Sequence, residues 1–327
     1  MKKTKIGLIG YGEIGRAHAA ALAQITESEL TAIADPSQAA IKAAESSGTK
    51  AIADYRELLA DPEIEAVVIA TPDHLHGEPA IAAAAAGKHI LLEKPIAPTI
   101  EQSLKIRQAA DEAGVKLMIG HTLRFFPEYQ FAKERAASGD LGRLVSVFAR
   151  RTNIITQSRR IQGRISVLGF LGVHDFDVLR WVVGAEPVRI FCENATSVTH
   201  GYDVEDETFT TIRFDNGVVA CLHCGWFVPE NHPSGFDFKL DITGDKGIVN
   251  LDFANAVTTL HGTGGTKQPL LTPALVNENR AFVTALRQDA SVPVSADDGM
   301  AAVAMVNAAE QSARTGKPVD LDADAWR

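Results

Sequence analysis

Short apolar runs alternate with alanine-rich, amphipathic segments through the first 120 residues of the chain. The runs have the length of buried strands, and the segments between them are long enough for crossover helices. Strands are predicted at residues 5–9, 30–34, 51–52, 66–70, 89–92 and 116–120, and helices at residues 14–24, 38–46, 55–60, 78–86 and 100–113. This alternation predicts a parallel, doubly wound sheet of the Rossmann type.

The pattern changes near residue 121. Helices are predicted at residues 127–138 and 168–183, and closing helices at 273–288 and 296–315. Strands are predicted at residues 144–151, 188–195, 206–214, 217–226 and 236–243. An arginine-rich loop is predicted between the first of these strands and the helix at 168–183. Asp215-Asn216-Gly217 and Gly244-Asp245-Lys246-Gly247 are predicted hairpin turns, so successive strands should pair antiparallel. We therefore predict a dinucleotide-binding domain at residues 1–121 and, at 122–327, an α+β domain built on an open, mainly antiparallel sheet.

The composition is that of a globular protein with two domains, because the 327 residues are 46% hydrophobic and 22% charged. A formal net charge of -9 argues against binding to nucleic acid. No apolar run approaches the roughly 20 residues of a membrane span, and the first run is too short for a signal peptide. Three cysteines fit a reducing compartment. We expect a cytoplasmic protein that binds neither nucleic acid nor membranes.

A glycine-rich segment, Gly10-Tyr11-Gly12-Glu13-Ile14-Gly15, joins the first predicted strand to the first predicted helix. Its glycines permit a tight turn, a close approach to a pyrophosphate and close packing of helix on sheet. Asp35, followed by Pro36, ends the second strand 20 residues after Gly15, where a carboxylate can bind an adenosine ribose. The alternative is a structural turn with Asp35 as a helix cap. Asp35 would repel a 2′-phosphate, which favours NAD, while Ser37 leaves NADP open.

Two further segments follow strands at the same predicted edge. Glu93-Lys94-Pro95 makes Lys94 a candidate acid/base residue, although a lysine at a strand end can also be a solvated terminus. In Thr71-Pro72-Asp73-His74-Leu75-His76 the two histidines could form half of a metal site, but helix capping by Asp73 is the simpler explanation. Cys221-Leu222-His223-Cys224 lies in an alternating strand, where residues three apart point to opposite faces. We therefore expect no metal.

With Arg124-Phe125, Gly139-Asp140-Leu141-Gly142 and Gly172-Val173-His174-Asp175-Phe176-Asp177, these motifs resemble those of the glucose-fructose oxidoreductase, inositol dehydrogenase and MocA-like family over essentially the whole chain. The resemblance implies an NAD(P)-dependent oxidoreductase that transfers hydride to or from a secondary hydroxyl or ketone of a sugar, cyclitol or sugar acid. In such members the lysine matching Lys94 binds the reacting oxygen, and the histidine matching His174 accepts the proton. A cationic Lys94 would stabilise an alkoxide, and an imidazole suits a base near neutral pH.

The predicted cofactor site combines the glycine-rich segment with residues that follow the next strands: Gly10, Tyr11, Gly12, Glu13, Ile14, Gly15, Asp35, Pro36, Thr71, Pro72, His76, Glu93 and Lys94. Polar side chains further along are substrate candidates beside His174: His121, Arg124, Asn153, Arg159, Arg160 and Arg164. The arginines would suit a carboxylated or phosphorylated sugar, but surface arginines also serve solubility.

The chain departs from the family pattern at Phe170, where many members carry an aspartate four residues before the histidine. The expected site is therefore reduced to Lys94 and His174 unless Asp175 or another carboxylate replaces that aspartate, while Asp177 lies on a neighbouring helical face and should serve structure. The missing aspartate favours one alternative to a dehydrogenase, a non-catalytic sensor that binds dinucleotide and sugar, while the retained Lys94 and His174 argue against it. A third interpretation keeps the enzyme as an oxidoreductase that recycles a tightly held cofactor between two sugars. The family usually covers its open sheet by pairing subunits, so a homodimer or homotetramer is expected.

Overall fold

The computed structural model describes residues 2–161, 163–196, 204–254, 257–262, 265–267 and 273–326, with only the backbone of residues 159, 160, 257–262 and 265–267. The chain forms two compact units, the first from Met1–Phe125 with Pro273–Met300 and the second from Phe126–Thr272 with Ala301–Arg327. The predicted boundary at residue 121 lies close to the first of these junctions. The segment Pro273–Met300, however, groups with the first unit rather than with the domain in which the sequence placed it.

The first unit contains the parallel sheet that the sequence predicts. Its strands are β1 (Thr4–Ile9), β2 (Ser28–Ala34), β3 (Lys50–Ile52), β4 (Ala66–Ile69), β5 (His89–Glu93) and β6 (Leu117–Gly120), paired in parallel in the order β3-β2-β1-β4-β5-β6. The helices between them are α1 (Glu13–Leu22), α2 (Gln38–Ser46), α3 (Tyr55–Leu59), α4 (Gly77–Ala85) and α5 (Ile100–Ala113). Every residue of β4 is buried, which explains its uninterrupted apolar sequence.

The second unit contains a nine-stranded sheet in the order β14-β13-β12-β11-β7-β10-β9-β8-β15. These strands are β7 (Leu144–Ile154), β8 (Pro187–Ala195), β9 (Glu207–Phe214), β10 (Val219–Val228), β11 (Phe236–Gly244), β12 (Gly247–Asp252), β13 (Val257–Gly262), β14 (Gly265–Lys267) and β15 (Val319–Asp320). Only the pairing of β10 with β7 is parallel among the described pairs, so the predicted mainly antiparallel sheet is confirmed. The predicted hairpins join β9 to β10 and β11 to β12.

Three helices belong to the second unit before its main run of strands: α6 (Pro127–Ser138), α7 (Ile155–Ile161) and α8 (Val173–Val183). The bounds of α6 match the prediction because Pro127 opens the helix and Gly139, with φ 82°, ends it. The predicted arginine-rich loop is wrong, since β7 pairs with β11 as far as Asn153 and with β10 at Ile154, and α7 follows directly. The helix predicted from residue 168 begins instead as a π-helical turn, Leu168–Gly172, before α8.

Two long helices close the chain. Helix α9 (Ala274–Arg287) lies in the first unit, where it packs against α1 and against the 3₁₀ turn Thr122–Phe125. Helix α10 (Ala296–Thr315) contributes its residues up to Met300 to the first unit and its remaining residues to the second. Among the described residues, no helix combines the length and the apolar character that crossing a bilayer requires.

Candidate active site

The sheet of the first unit reverses its strand order between β1 and β4. In open α/β sheets, ligands bind outside the carboxyl ends of the strands at such a reversal. The glycine-rich segment follows β1, Asp35 follows β2, Thr71 follows β4 and Lys94 follows β5. The topology therefore brings the predicted cofactor residues to one edge of the sheet.

The three glycines of the first loop have different structural roles. Gly10 has φ 93°, and a Cβ there would lie 2.7 Å from the carbonyl oxygen of Ala70. A Cβ on Gly15 would lie 2.0 Å from the carbonyl oxygen of Gly10, so this glycine lets α1 pack against the turn. On Gly12 a Cβ would meet no described atom within 4 Å. The space over Gly12 is thus open at the helix start, as the approach of a pyrophosphate requires.

Asp35 is held at the same edge by the main chain. Its Oδ2 accepts a hydrogen bond from the Tyr11 N–H (2.7 Å), and its Oδ1 accepts one from the Ser37 N–H (2.8 Å). Each carboxylate oxygen retains a further lone pair that can accept from a ribose hydroxyl. Glu13 and Pro36, both predicted cofactor contacts, are exposed, and Ile14 is 49% exposed. These residues fit a dinucleotide.

His76 connects the segments that follow β4 and β5. Its Nδ1 lies 2.8 Å from the carbonyl oxygen of Pro95, and its Nε2 lies 3.0 Å from that of Thr71. Burial lowers the pKa of His76, so the ring is neutral near pH 7 and donates to one carbonyl at a time. His76 therefore fixes the main chain on both sides of the predicted nicotinamide site. The buried Thr71 hydroxyl has no hydrogen-bond partner in the described part of the chain, which suits a contact with a cofactor.

The two alternatives considered for the histidines of this segment are not what the structure contains. His74 is half exposed, while His76 is fully buried against carbonyl oxygens, so the two do not form half of a metal site. Asp73 begins a 3₁₀ turn, and no side chain caps that turn or α4. The expectation that Asp73 acts as a helix cap was wrong because α4 begins only after His76.

Glu93 takes part in a buried network that sequence reasoning did not find. Its Oε1 lies 2.9 Å from the Nε2 of His18, and its Oε2 accepts a hydrogen bond from the Lys94 N–H (3.1 Å). Asn279 contacts the other ring nitrogen of His18, and Glu278 accepts hydrogen bonds from the Thr122 hydroxyl. The local sequence gives no sign of this network, because its members come from α1, β5, the 3₁₀ turn and α9.

His18, Glu93 and Glu278 are also a group of potential metal ligands, whose donor atoms lie within 4.8 Å of one another. Each of the three side chains already has a hydrogen-bond partner within the protein. The arrangement is therefore satisfied as a hydrogen-bonded network. A metal ion would have to displace the proton between His18 and Glu93.

The remaining candidates of the first unit lie close to this network in sequence. Lys94 is half-buried, and its peptide bond to Pro95 is cis. His121 is buried directly after β6. Arg124, also buried, forms two contacts with Asp298, from Nη1 (3.3 Å) and from Nη2 (3.2 Å). Its guanidinium is thus already engaged by a carboxylate, and its role in binding substrate stays a prediction.

His174 is half-buried in the first turn of α8, in the second unit. The neighbouring Asp175 is fully buried, and both of its oxygens bind the guanidinium of Arg151, with Oδ1 at 3.2 Å from Nη2 and Oδ2 against Nε. Arg151 also donates to the Tyr129 hydroxyl (3.1 Å) and lies over the ring of Phe238. Asp175 is therefore committed to Arg151, and this excludes it as the replacement for the family aspartate.

Phe170 lies in the π-helical turn that precedes α8. Its ring centroid is 5.9 Å from that of the buried Trp226. The hydrocarbon ring that replaces the family aspartate thus packs against another aromatic ring. Asp177, three residues after His174 in α8, is buried, in agreement with a structural role.

The other substrate candidates of the second unit lie on two consecutive elements. Asn153 is near the end of β7, opposite Phe236 of β11. Arg164 is exposed after α7, and its Nε donates to the carbonyl oxygen of Ile161 (3.1 Å). The side chains of Arg159 and Arg160 lie outside the described residues.

Comparison with known proteins identifies the family. Residues 4–121 match the oxidoreductase family with an NAD-binding Rossmann fold, and residues 129–250 match the Gfo/Idh/MocA C-terminal domain. Inositol 2-dehydrogenase 2 of Saccharopolyspora erythraea is 32% identical over 334 residues, which cover 97% of this chain and 95% of that protein. The 1,5-anhydro-D-fructose reductase of Ensifer adhaerens is 30% identical over 335 residues, which cover 97% of this chain and 98% of the reductase.

A solved structure shows the same fold. It is scyllo-inositol dehydrogenase from Lactobacillus casei with bound NAD(H) and scyllo-inositol, which superimposes with a TM-score of 0.85 at 22% identity and covers 98% of this chain and 99% of its own. The glycine-rich loop and Asp35 lie within the first matched region, and His174 lies within the second. The chain belongs to the Gfo/Idh/MocA family of oxidoreductases with an NAD-binding Rossmann fold.

Proposed function

We propose that the protein is an NAD-preferring dehydrogenase that oxidises a secondary hydroxyl of a sugar, cyclitol or sugar acid, or reduces the matching ketone. The observation that carries this proposal is the fixed Asp35 carboxylate beside the glycine-rich loop, on the same sheet edge as Lys94. When bound, the nicotinamide supplies the hydride acceptor or donor. The names of the relatives, an inositol dehydrogenase and a sugar reductase, support a polyol substrate.

Two residues of the chain are proposed to carry out the other steps of the reaction, the removal of a proton and the stabilisation of the substrate oxygen. Loss of hydride from a CH–OH carbon leaves a proton to be removed, and His174 is the proposed base. The charged Lys94 stabilises the oxygen as negative charge develops on it. Both oxygens of Asp175 bind Arg151, so Asp175 is not the group that orients His174 in the proposed reaction.

Asp35 also carries the proposed preference for NAD. Both of its oxygens are held by main-chain N–H groups, so the carboxylate cannot swing away from the position where a 2′-phosphate would lie. A fixed negative charge at that position opposes NADP and leaves acceptors for the two hydroxyls of an unmodified ribose.

The test is a panel of sugars, cyclitols and sugar acids assayed for NADH formation with wild type and Lys94→Ala. We expect turnover to fall at least about a hundredfold in the variant with little change in NADH affinity, since Lys94 is assigned to the transition state. Lys105→Ala, at an exposed lysine of α5, is the matched control and should behave as wild type. Near-wild-type turnover of Lys94→Ala would remove the assignment.

One observation favours a second candidate, a sensor that binds dinucleotide and sugar without catalysis. Phe170 packs against Trp226 where the family aspartate is expected, and such an exchange is tolerable in a protein that no longer transfers protons. Tight NAD binding together with no NADH formation across the whole panel would support the sensor. A cofactor that stays bound through gel filtration would instead support exchange of hydride between two sugars.

We also propose that the protein forms homodimers or homotetramers through the open face of the nine-stranded sheet. Residues of β9 alternate between buried and exposed, and Phe209 is 54% exposed on the open face, stacked on His223 of β10. Phe227 and Ile248 are exposed large apolar residues of other strands in the same sheet. A monomer in sedimentation at micromolar concentration would refute this proposal.

The three free cysteines support the further proposal of a cytoplasmic location.

A further inference from the structure

Four separate segments of the first unit bring polar side chains together beside the main chain of Lys94. His18 comes from α1, Glu93 from β5, Thr122 from the 3₁₀ turn, and Glu278 with Asn279 from α9. His18, Glu278 and Asn279 have no exposed surface, and the Glu93 side chain is 12% exposed. Polar groups buried to this degree must satisfy one another, so the position of each proton is restricted.

The amide of Asn279 determines the tautomer of His18. Its Nδ2 donates to the carbonyl oxygen of Leu275 (2.8 Å), which only the nitrogen of the amide can do. The same Nδ2 lies 2.9 Å from Nδ1 of His18, so this ring nitrogen accepts a hydrogen bond. When the ring is neutral, its proton is therefore on Nε2, from which it is donated to Oε1 of Glu93 (2.9 Å).

The two glutamates of the network are not equivalent. Glu93 receives hydrogen bonds from His18 and from the Lys94 main chain, while Glu278 receives its described hydrogen bonds from the Thr122 hydroxyl alone. Two buried carboxylates this close cannot both be ionised at low cost, and the better-solvated one keeps the charge. Glu93 is thus the carboxylate and Glu278 the carboxylic acid.

The electrostatic surroundings agree with this division. Burial and the charge of Glu93 raise the pKa of Glu278 to about 8. Burial alone would raise the pKa of Glu93 as well, but the hydrogen bond from His18 and the charge of His18 lower it, as does the charge of Lys94. Burial lowers the pKa of His18, but its hydrogen bond to Glu93 and the charge of Glu93 outweigh this, so the pKa of His18 is raised. His76 also interacts electrostatically with Glu93. Arg124 of the 3₁₀ turn is paired with Asp298 of α10, so this pair carries no net charge.

We propose that His18, Glu278 and Asn279 are positioning residues for Lys94, because they hold Glu93 as a single carboxylate against the Lys94 main chain. One negative charge then keeps the Lys94 ammonium protonated for its role at the substrate oxygen. This inference rests on the proposed function for its purpose, although the arrangement of charge stands without it. Ionisation of Glu278 in alkaline solution would place a second negative charge in the network and hold the Lys94 proton more firmly.

The charge of Lys94 can be followed without a substrate by trace acylation with acetic anhydride from pH 6 to 10, with mass spectrometry of the peptide that contains Lys94. Only the neutral amine reacts, so the rate reports the fraction of free amine. Lys105, which pairs with Glu101 on the exposed face of α5, is the internal reference. Circular dichroism shows that each variant is folded, since Glu93 itself belongs to the predicted cofactor site.

We expect Glu93→Gln to increase the acylation rate of Lys94 relative to Lys105 at least about threefold at pH 7.5, because the variant removes a negative charge that interacts with Lys94. Glu278→Gln should match wild type at pH 6.5, where glutamine replaces a neutral acid, and should react faster than wild type above about pH 8. Glu101→Gln is the matched control at an exposed glutamate and should leave the Lys94 profile unchanged.

Lys94 acylation in Glu93→Gln at the wild-type rate would overturn the proposal. If Glu93→Gln does not fold, the Glu278→Gln profile decides alone, and identity with wild type throughout the pH range would overturn it. For the active enzyme, Glu278→Gln should also change the alkaline limb of the kcat profile, which a purely structural role would not move. Failure of the proposed function is separate: wild type would then oxidise no polyol while the acylation profiles still follow the expected order.

Discussion

Replacing Glu278 with glutamine tests the proton assigned to this side chain through the stability of the first unit. Burial and the charge of Glu93 raise the pKa of Glu278 from 4.5 to about 8 on folding. Between these two pH values the folded protein holds a proton that the unfolded chain has released. The stability contributed by the protonated group is therefore complete below about pH 4.5 and is lost as the pH rises to about 8.

The magnitude follows from the width of this interval. Each pH unit within it changes the free energy of unfolding by about 1.4 kcal/mol for one proton, which gives an upper limit of about 5 kcal/mol. Adjustment of His18 and Thr122 around the ionised form reduces this figure, and we expect about 2–4 kcal/mol. Glutamine does not titrate. The difference in unfolding free energy should therefore shift in favour of Glu278→Gln by that amount between pH 5 and pH 8.

The assay must report on the first unit. Trp181, Trp226 and Trp326 all belong to the second unit, so tryptophan fluorescence would follow the wrong part of the chain. Urea titrations read by pulsed hydrogen exchange of peptides from β1 and β5 avoid this problem. Glu101→Gln, on the exposed face of α5, is the matched control. A difference between Glu278→Gln and wild type that stays constant from pH 5 to pH 8 would refute the protonated Glu278.

Three further predictions concern the cofactor edge and the base. Asp35→Ser should reduce the preference for NAD over NADP at least about tenfold in kcat/KM, because a charge held by two main-chain N–H groups is lost; an unchanged ratio would contradict this. Gly15→Ala should lower both Tm and NADH affinity, since its Cβ would lie 2.0 Å from a carbonyl oxygen. Gly12→Ala should leave Tm unchanged and weaken NADH binding in fluorescence titration, because its Cβ would meet no described atom within 4 Å. Equal effects of the two variants on Tm would contradict these roles. Phe170→Asp should move the acidic limb of kcat/KM up by about one pH unit if the new carboxylate supports His174, and an unshifted limb would show that the π-helical turn holds the position away from the histidine.

Local chemistry made the cofactor edge predictable from the sequence. The glycines of the first loop and the carboxylate of Asp35 are required by contacts within a few residues of a strand end, so their spacing along the chain is already the signal. The Rossmann strands were found for a similar reason, because strands buried on both faces are uninterrupted apolar runs. In the second unit the sequence predicts the strands up to β11 and the two glycine turns, but not β12 to β15. Strands β12, β13 and β14 pair with their neighbours along the chain, whereas β15 pairs with β8, more than a hundred residues earlier.

The network around Glu93 could not be predicted in this way. His18 and Asn279 are 261 residues apart and meet only because α9 packs on α1 in the first unit. Glu278 looks like an ordinary helical glutamate in the sequence, and its burial becomes visible only in three dimensions. Similarly, nothing in the sequence indicates that Asp175 is bound to Arg151, since that pairing joins α8 to β7.

The ion pair between Asp175 and Arg151 bears on the consequence of having phenylalanine at position 170. Asp175 is adjacent to His174 in the sequence, but both of its carboxylate oxygens bind Arg151, so it does not orient His174. Phe170 contributes an apolar ring that packs with Trp226, and it cannot accept a proton. Asp175 therefore does not stabilise a protonated His174 in the proposed reaction, which makes the proposed role of the Lys94 charge at the developing alkoxide more important. The network that fixes Glu93 beside Lys94 is therefore the part of this site on which catalysis should depend most.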